Sequence, residues 1–572
     1  MTGMKKRSML SRVNRARLRW SRERRTGYQK WIKTYEAKFI KRMAQVSSED
    51  ARLRDGPLIS IVMPVYRPKA EHLIAAIESV RAQLYVNWEL CICDDHSMCE
   101  NTARILAGYA GSDDRIKVVE RAENGHISAA SNDALTLCRG EFVALLDQDD
   151  VLAPHALLMV ALVVLEVPDA GVIYSDEDLI AARDKRVGPY MKSDWNLYLF
   201  RSHNMISHLG VYRRSLLSRV GGFRVGYEGS QDYDLALRCI ELCNDRQIIH
   251  IPQVLYHWRT HDASTAQDID NKPYVVDAAL RALSDHLDRC NISASVEKTP
   301  SASYRVRYAA PDMRSEVAVV LCNSLHADIR DMAERALAEH NVQCNLVFIT
   351  GSRHEVLEIL RNSPAEYVYF SDGSQPLSGD WLREMLGIIS QDDVGIVGGK
   401  QIDEKGDVVH AGYAVDSSGR YLHLHRQVRG HGNAGRAELI QELCAVSSGC
   451  MLARRDLFVS LGGFALEYVD SALADIDFCQ RARRQGWRVV WTPYALFRAI
   501  DCAPLVKDRP REESPSVRSD QHRYIAQWGG VDDGYFSIHL SICEPQLKLD
   551  PARSEAKTLC SGWGLGLQSK TE

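Results

Sequence analysis

The sequence predicts an α/β chain of two similar domains in tandem, each around a mostly parallel sheet, behind a basic N-terminal helix. Three observations predict it. Strand-like and helix-like segments alternate from Pro57 onward, which is the pattern of right-handed βαβ units. Acidic residues recur at the carboxyl ends of the strand-like segments, the edge at which such sheets bind ligands. Finally, Arg213-Arg-Ser-Leu-Leu-Ser-Arg-Val-Gly-Gly-Phe223 returns as Arg454-Arg-Asp-Leu-Phe-Val-Ser-Leu-Gly-Gly-Phe464, and Asp232-Tyr-Asp234 with Arg238 is echoed by Asp475-Ile-Asp477 with Arg481. Self-similarity over that distance indicates a duplicated domain, not a solenoid.

Composition sets the bounds. A chain of 572 residues exceeds one hydrophobic core, and 45% hydrophobic with 26% charged residues is a globular balance. The net charge of -4 conceals fifteen Lys/Arg against four Asp/Glu within residues 1–50. Fifteen cysteines without paired metal-ligand spacing point to a reduced, cytoplasmic setting. The early residues are basic with no apolar core behind them, so no secretory signal is expected. The most apolar run, Ala156 to Val167, is too short to span a bilayer and contains Glu166. The expected division is a basic amphipathic arm over 1–56, a first domain over 57–300, a second over 310–505 and a tail over 506–572.

In chain order, Lys5 to Met43 spaces Trp20, Trp31, Tyr35, Phe39 and Ile40 among basic residues at loosely helical intervals. Such a helix suits an anionic membrane surface or docking on the chain's own acidic body. No nucleic-acid motif accompanies the charge, so nucleic acid is not an expected partner. Leu58 to Met63 reads as a buried strand closed by Pro64, with a helix over His72 to Leu84. A second strand, Trp88 to Cys93, ends in Asp94-Asp95. The helix Asn101 to Ala110 and the strand Ile116 to Glu120 follow, and Asn124-Gly-His-Ile127 opens a helix of small residues suited to close packing or close approach of a ligand.

Val143 to Asp150, Val-Ala-Leu-Leu-Asp-Gln-Asp-Asp, is an apolar run ending in three carboxylates. If extended, it puts Asp147 and Asp149 on one face, a geometry suited to Mg2+ or Mn2+ carrying a diphosphate. The alternative is a polar turn in which Asp150 caps the next helix. Beyond it lie a strand at Val172 to Tyr174, an acidic loop at Ser175 to Asp178, and polar-aromatic loops at Lys192 to Asn196 and Ser202 to Asn204 suited to a hydroxyl-rich ligand. Tyr227 to Asp234 opens a helix in which Asp234 reads as a cap or the partner of Arg238, leaving Asp232 the freer carboxylate. The strand Ile248 to Pro252 leads to Tyr256-His-Trp-Arg259.

Taken in order, Ser60 to Tyr66, Asp94-Asp95, Asn124 to Asn132, Leu146 to Asp150, Asp194-Trp-Asn196, Gly229 to Asp234 and Tyr256 to Arg259 resemble the inverting family 2 glycosyltransferases of GT-A fold. The likeness is greatest to the bacterial members, rhamnosyltransferases among them, that build O-antigens and other surface polysaccharides. The resemblance implies that Pro64, Val65, Tyr66, Asp94, Asp95, Asn132 and Asp147 line the nucleotide-sugar site. It further implies that Asp149 and His257 hold Mg2+ or Mn2+, that Asp232 is the catalytic base, and that Trp195, Asn204 and Gln231 lie on the acceptor side. The implied partners are a dTDP- or UDP-sugar donor and a glycan or lipid-linked acceptor, met at the cytoplasmic face of a membrane that residues 5–43 could touch. One base and one cation suffice for inverting transfer, because the cation replaces the second acid of a hydrolase.

The second copy departs from this pattern. It has no acid in Phe348-Ile-Thr-Gly-Ser352, keeps one carboxylate at Asp372, and ends Phe497-Arg-Ala-Ile-Asp501 where the first has Tyr-His-Trp-Arg. A non-catalytic or acceptor-holding second domain is expected, the alternative being a second transferase using Asp372 and Asp475. His410, His423, His425 and His431 read as polar loop or hairpin residues. From other classes, a glycan-binding scaffold and a nucleotidyltransferase compete; the first copy's intact acids weigh against the scaffold, and the lack of an early basic phosphate loop against the nucleotidyltransferase.

Overall fold

The structure, a computed structural model, describes residues 27–560 apart from 182–183, 261–272, 301–302, 311–315, 322–344, 350–352, 427–431, 500–514, 530–532 and 544–547. Nine strands make the first sheet: β1 (Ile59–Val65), β2 (Trp88–Asp94), β3 (Ile116–Glu120), β4 (Phe142–Leu145), β5 (Val151–Leu152), β6 (Val172–Ala181), β7 (Lys185–Tyr190), β8 (Gly210–Arg213) and β9 (Ile248–Arg259). Their order is β3-β2-β1-β4-β8-β6-β9-β5, with β7 on β6. The run from β3 to β4 is parallel. Because its two faces are covered, β2 is buried at every position, with Glu89 held by Ser60 and Lys117 among its apolar residues. β8 then enters antiparallel between β4 and β6, and β6 and β9 pair in parallel.

A hairpin, β10 (Ala294–Lys298) and β11 (Tyr304–Tyr308), precedes a second nine-stranded sheet. Its strands are β12 (Glu316–Leu321), β13 (Asn345–Ile349), β14 (Tyr367–Ser371), β15 (Gln375–Pro376), β16 (Val394–Ile402), β17 (Val408–His410), β20 (Gln441–Glu442), β21 (Cys450–Arg454) and β22 (Arg488–Arg498), with a separate β18–β19 hairpin at Tyr413–Val415 and Tyr421–His423. The order β13-β12-β14-β21-β16-β22-β15 repeats β2-β1-β4-β8-β6-β9-β5 strand for strand. The duplication seen in the sequence is thus a duplication of topology, and register fixes the counterparts of Asp147, Asp150, His208 and Tyr256. Tyr198, Phe200, Trp381, Ile440 and Val490 share one apolar core, so the two sheets are joined by buried surface.

Several expectations change. Of the two readings of the arm, the described part follows the docking one: Tyr28, Trp31, Tyr35, Phe39 and Met43 form one apolar stripe buried against the first domain. Trp31 Nε1 donates to Ser554 Oγ at 3.0 Å, Tyr28 Oη to Asp178 at 2.6 Å, and Glu36 pairs with Arg186 at 2.7 Å. Residues 5–26 lie outside the described residues. Among its described residues, the tail contains two helices. Tyr524 and Trp528, on the helix Pro515–Trp528, pack into the second domain, and the helix Pro551–Cys560 lies on the arm. Ser175 to Asp178 is the middle of β6, not a loop. Lys192, Ser193 and Asn196 are buried, not surface groups. Among the described residues no helix is long and apolar enough to cross a membrane.

Candidate active site

The antiparallel register of β4 with β8 builds the site. Phe142 faces Arg213 and Ala144 faces Val211, so the chain leaving β4 at Asp147 runs alongside the chain entering β8 at His208. His208 Nε2 lies 4.0 Å from Asp147 Oδ2. Asp147, Asp150 and His208 offer ligand atoms that all fall within 4.8 Å of one another. Sequence reading expected Asp147 and Asp149 on one extended face; instead the segment turns, with Asp150 N donating to Asp147 O at 3.2 Å. The turn moves Asp150 inward, where it is fully buried and does not cap the next helix, whose first flanking residue is His155.

Tyr256 fixes that turn. Its hydroxyl donates to Asp150 Oδ2 at 2.6 Å and accepts from Asp147 N at 3.2 Å. Arg259 completes the clamp by donating N to Asp150 Oδ1 at 2.7 Å and Nε to Asp149 O at 2.9 Å. The His208 ring stacks on Tyr256 at 4.4 Å and meets the edge of Trp258 at 5.3 Å. Tyr256 and Trp258 thus share one face of β9, and the period of two sends His257 to the other. There His257 Nδ1 pairs with Asp178 Oδ1 at 2.6 Å, under the N-terminal arm. The structure thus sets His257, expected at the metal, against Asp178, and among the described residues brings His208, which sequence reading missed, beside Asp147 and Asp150.

The loop that presents His208 is pinned from beneath. The buried Lys192 ammonium donates to Glu177 Oε2 at 3.0 Å, Ile206 O at 2.9 Å and His208 O at 2.6 Å. Glu177 Oε2 also accepts from His208 N at 3.1 Å. Asn204, on the same loop, donates Nδ2 to Asp232 Oδ2 at 2.8 Å while its Oδ1 accepts from Ser207 N at 3.2 Å. Asp232 begins the helix Gln231–Ile240, where Gln231 holds the turn by accepting from Gly229 N at 2.7 Å. Asp234 is buried between Arg238, at 2.7 Å, and Arg224, which explains why Asp232 is the carboxylate facing the cleft.

Charge in this cleft is poorly balanced. Burial, with Asp149 and Asp232 nearby, raises Asp147 to about 6 against the opposing pull of His208. Its side chain keeps 42% exposure, so this acid is open to water. Burial and the neighbouring Asp147 and Asp149 push Asp150 well above the carboxylate range. Burial likewise raises Asp232, with His208 opposing. Carboxylates that raise one another favour a bound cation. The donor set of two carboxylates and one imidazole fits a divalent ion such as Mn2+ or Mg2+.

The rest of the rim follows from the strand ends. Tyr66 N donates to Gln148 Oε1 at 2.8 Å and Gln148 Nε2 to Tyr66 O at 3.2 Å, which clasps the exit of β1, Pro64 to Tyr66, to the acidic turn. Asp94 Oδ1 accepts from Ser97 N at 3.1 Å, and Asp95 accepts from Gly125 N at 2.8 Å and Asn124 Nδ2 at 2.9 Å while pairing with Arg121 at 3.0 Å. Two expected contacts are occupied elsewhere. Asn132 spends its amide on Phe223, donating to O and accepting from N, both at 2.8 Å, and so secures the Gly-Gly-Phe turn. Trp195 is buried at the junction with the second domain, its Nε1 donating to Asp245 Oδ1 at 3.0 Å.

The second sheet supplies an internal comparison. Tyr367 faces Arg454 in β14–β21 as Phe142 faces Arg213, which makes Asp372 the counterpart of Asp147 and Gly449 that of His208. A Cβ on Gly449 would lie 2.6 Å from Asp372 Oδ2, so a side chain there would displace the carboxylate. Pro376 pairs with Phe497 as Leu152 pairs with Tyr256; hence Ser374 replaces Asp150 and Phe497 replaces Tyr256. Asp372 accepts from Ser374 N at 2.9 Å and Gln401 Nε2 at 3.2 Å. Asp475 Oδ2 accepts from Ser448 N at 3.0 Å. Of the four histidines read as hairpin residues, His410 and His423 meet through Nδ1 at 3.1 Å, and His431 lies outside the described residues.

Comparison with known proteins gives two family matches. Residues 60–221 match Glycosyl transferase family 2, and residues 303–524 match Glycosyltransferase like family 2. The Sinorhizobium fredii protein y4gI is 36% identical over 512 residues, covering 83% of this chain and 56% of that protein. The O-antigen biosynthesis protein RfbC of Myxococcus xanthus is 32% identical over 536 residues, covering 86% of this chain and 41% of that protein. The chain thus spans about half the length of these curated relatives. Among solved structures, S. aureus TarS 1-349 in complex with UDP-GlcNAc aligns with 40% of this chain and 66% of that chain, at 18% identity and a TM-score of 0.34.

Proposed function

Because the chain belongs to glycosyltransferase family 2 and carries two domains of that kind in tandem, we propose that its first domain transfers a sugar from a nucleoside diphosphate sugar to a hydroxyl of a growing polysaccharide or lipid-linked glycan, with inversion. The supporting observation is the convergence of Asp147, Asp150 and His208 beside Asp232, with Asp150, the His208 loop and Asp232 each held by hydrogen bonds.

Asp232 takes the proton from the acceptor hydroxyl as that oxygen attacks the anomeric carbon. Burial makes it more basic than an ordinary carboxylate, and Asn204 aims it by holding Oδ2. Asp147, Asp150 and His208 would hold Mn2+ or Mg2+, which when bound supplies positive charge against the departing diphosphate. Asp149, at the tip of the same turn, adds negative charge to that wall. The β1 exit at Pro64 to Tyr66, with Asp94 and Asp95, forms the end suited to the nucleoside, whether UDP or dTDP. Gln231 and Asn204 border the acceptor side.

The second domain acts as support rather than as a second transferase. Its wall carries Gly449, Ser374 and Phe497 where the first has His208, Asp150 and Tyr256, and the surviving Asp372 carboxylate is hydrogen-bonded by Ser374 and Gln401. The Myxococcus relative is named for O-antigen biosynthesis, which supports surface-polysaccharide synthesis as the pathway class, and we propose the cytoplasmic side of a membrane as the place of the work. The test is a panel of UDP-, dTDP- and GDP-sugars scored for nucleoside diphosphate release with Mn2+, Mg2+ or chelator. Release that depends on the cation supports the reading, and cation-independent turnover contradicts the metal role.

A further inference from the structure

The segment Asp194-Trp195-Asn196, of which Trp195 was expected on the acceptor side, is the seam between the two domains. Asn196 Nδ2 donates to Glu442 O at 2.9 Å, and Asn196 Oδ1 accepts from Glu442 N at 2.9 Å. The same Oδ1 accepts from Leu199 N at 3.0 Å and so caps the short helix Leu197–Ser202. Leu197 N donates to Glu442 Oε1 at 2.8 Å. Glu442 is itself 0% exposed, and its other oxygen is held by Arg488 at 2.8 Å and by Tyr535 Oη at 2.7 Å. Further along, Ser202 Oγ donates to Ile440 O at 3.1 Å. Two residues later the chain reaches Asn204, which aims Asp232.

We propose that Asn196 and Glu442 are positioning residues for the first-domain base: the second domain grips both ends of the Leu197–Ser202 helix and thereby sets Asn204 against Asp232. A single buried carboxylate from the second domain joins that helix to Arg488 and the tail, so the domain whose own site has lost its ligands is needed by the site that keeps them. The proposal rests on the reading of Asp232 as base. Its chemical signature follows from Asn204. A hydrogen bond donated to a carboxylate favours the ionised form, so losing it raises the carboxylate's pKa.

The test uses the full chain and the variant Asn196→Ser, whose hydroxyl can still cap Leu199 N but cannot make both bonds to Glu442. Glu442→Ala is the second variant and Asn204→Ala the reference. The expected result is a fall in transfer kcat of about 10- to 100-fold, with the donor KM changed by less than a factor of about two. The acid limb of the kcat/KM profile moves up by about half to one unit, in the same direction as in Asn204→Ala. A loss of kcat with an unmoved acid limb, in proportion to the folded fraction seen by circular dichroism, overturns the proposal. Asp232→Asn separates the two levels: if it still transfers, the base assignment fails and takes the proposal with it, whereas if it is inactive and Asn196→Ser has an unshifted limb, the proposal alone fails.

Discussion

The hydroxyl of Tyr256 stands 2.6 Å from Asp150 Oδ2 and also accepts from Asp147 N, so one phenol fixes both acids of the proposed cation site. Removing it should loosen the turn without emptying the cleft. Tyr256→Phe leaves a buried carboxylate one donor short, a cost of about 1–3 kcal/mol in stability, and should weaken Mn2+ activation by about tenfold. Urea melts and a Mn2+ titration of donor turnover measure the two effects. The second domain already has Phe497 at this position, where no acid needs the hydroxyl.

The raised carboxylates make a pH prediction. Asp147 sits at about 6 and Asp150 and Asp232 are also raised, so the folded state holds protons that the unfolded chain releases. For such groups stability is greatest at low pH and declines as pH climbs from the ordinary carboxylate range through about 6. A divalent cation competes with those protons and reverses the trend. The gain in Tm on adding Mn2+ should therefore be larger near pH 7.5 than near pH 5, and Asp147→Asn should reduce the difference. Thermal melts with Mn2+ and with chelator, at both pH values, read it directly.

The arm makes a third prediction. Trp31 is fully buried among Tyr28, Tyr35 and His539, so it serves the fold and not a lipid surface. Trp31→Ala should cost about 3–5 kcal/mol and leave affinity for anionic vesicles unchanged. Chemical denaturation and vesicle sedimentation separate the two roles.

Much of the fold could be read from local sequence, because alternating strands and helices write themselves in short segments. Asp94, Asp95, Asp147 and Asp232 drew attention for the same reason: each lies near a strand end or a helix start. His208 was not, because its place opposite Asp147 depends on β8 entering beside β4, a pairing between distant segments that no local pattern encodes. His257 drew attention as the histidine of a motif, yet the period of two along β9 gives the cleft to Tyr256 and Trp258. Trp195 and Asn196 read as ligand-facing because aromatic and amide groups often are. Here their partners are Asp245 and Glu442, one of them far along the chain in the other domain. Tyr28, Trp31 and Tyr35 carried a helical stripe, but composition cannot say whether a stripe meets lipid or protein.

The central claim is that transfer chemistry resides in the first domain alone, with Asp232 as base. Its most direct test is sugar transfer to an acceptor hydroxyl by the full chain, compared between Asp232→Asn and Asp475→Asn, with donor binding followed in parallel. Asp232→Asn should lower transfer by about 1,000-fold or more while still binding donor, and Asp475→Asn should stay within about twofold of the wild type. Loss of transfer in Asp475→Asn with donor binding and folding intact, or persistence of transfer in Asp232→Asn, would contradict the account.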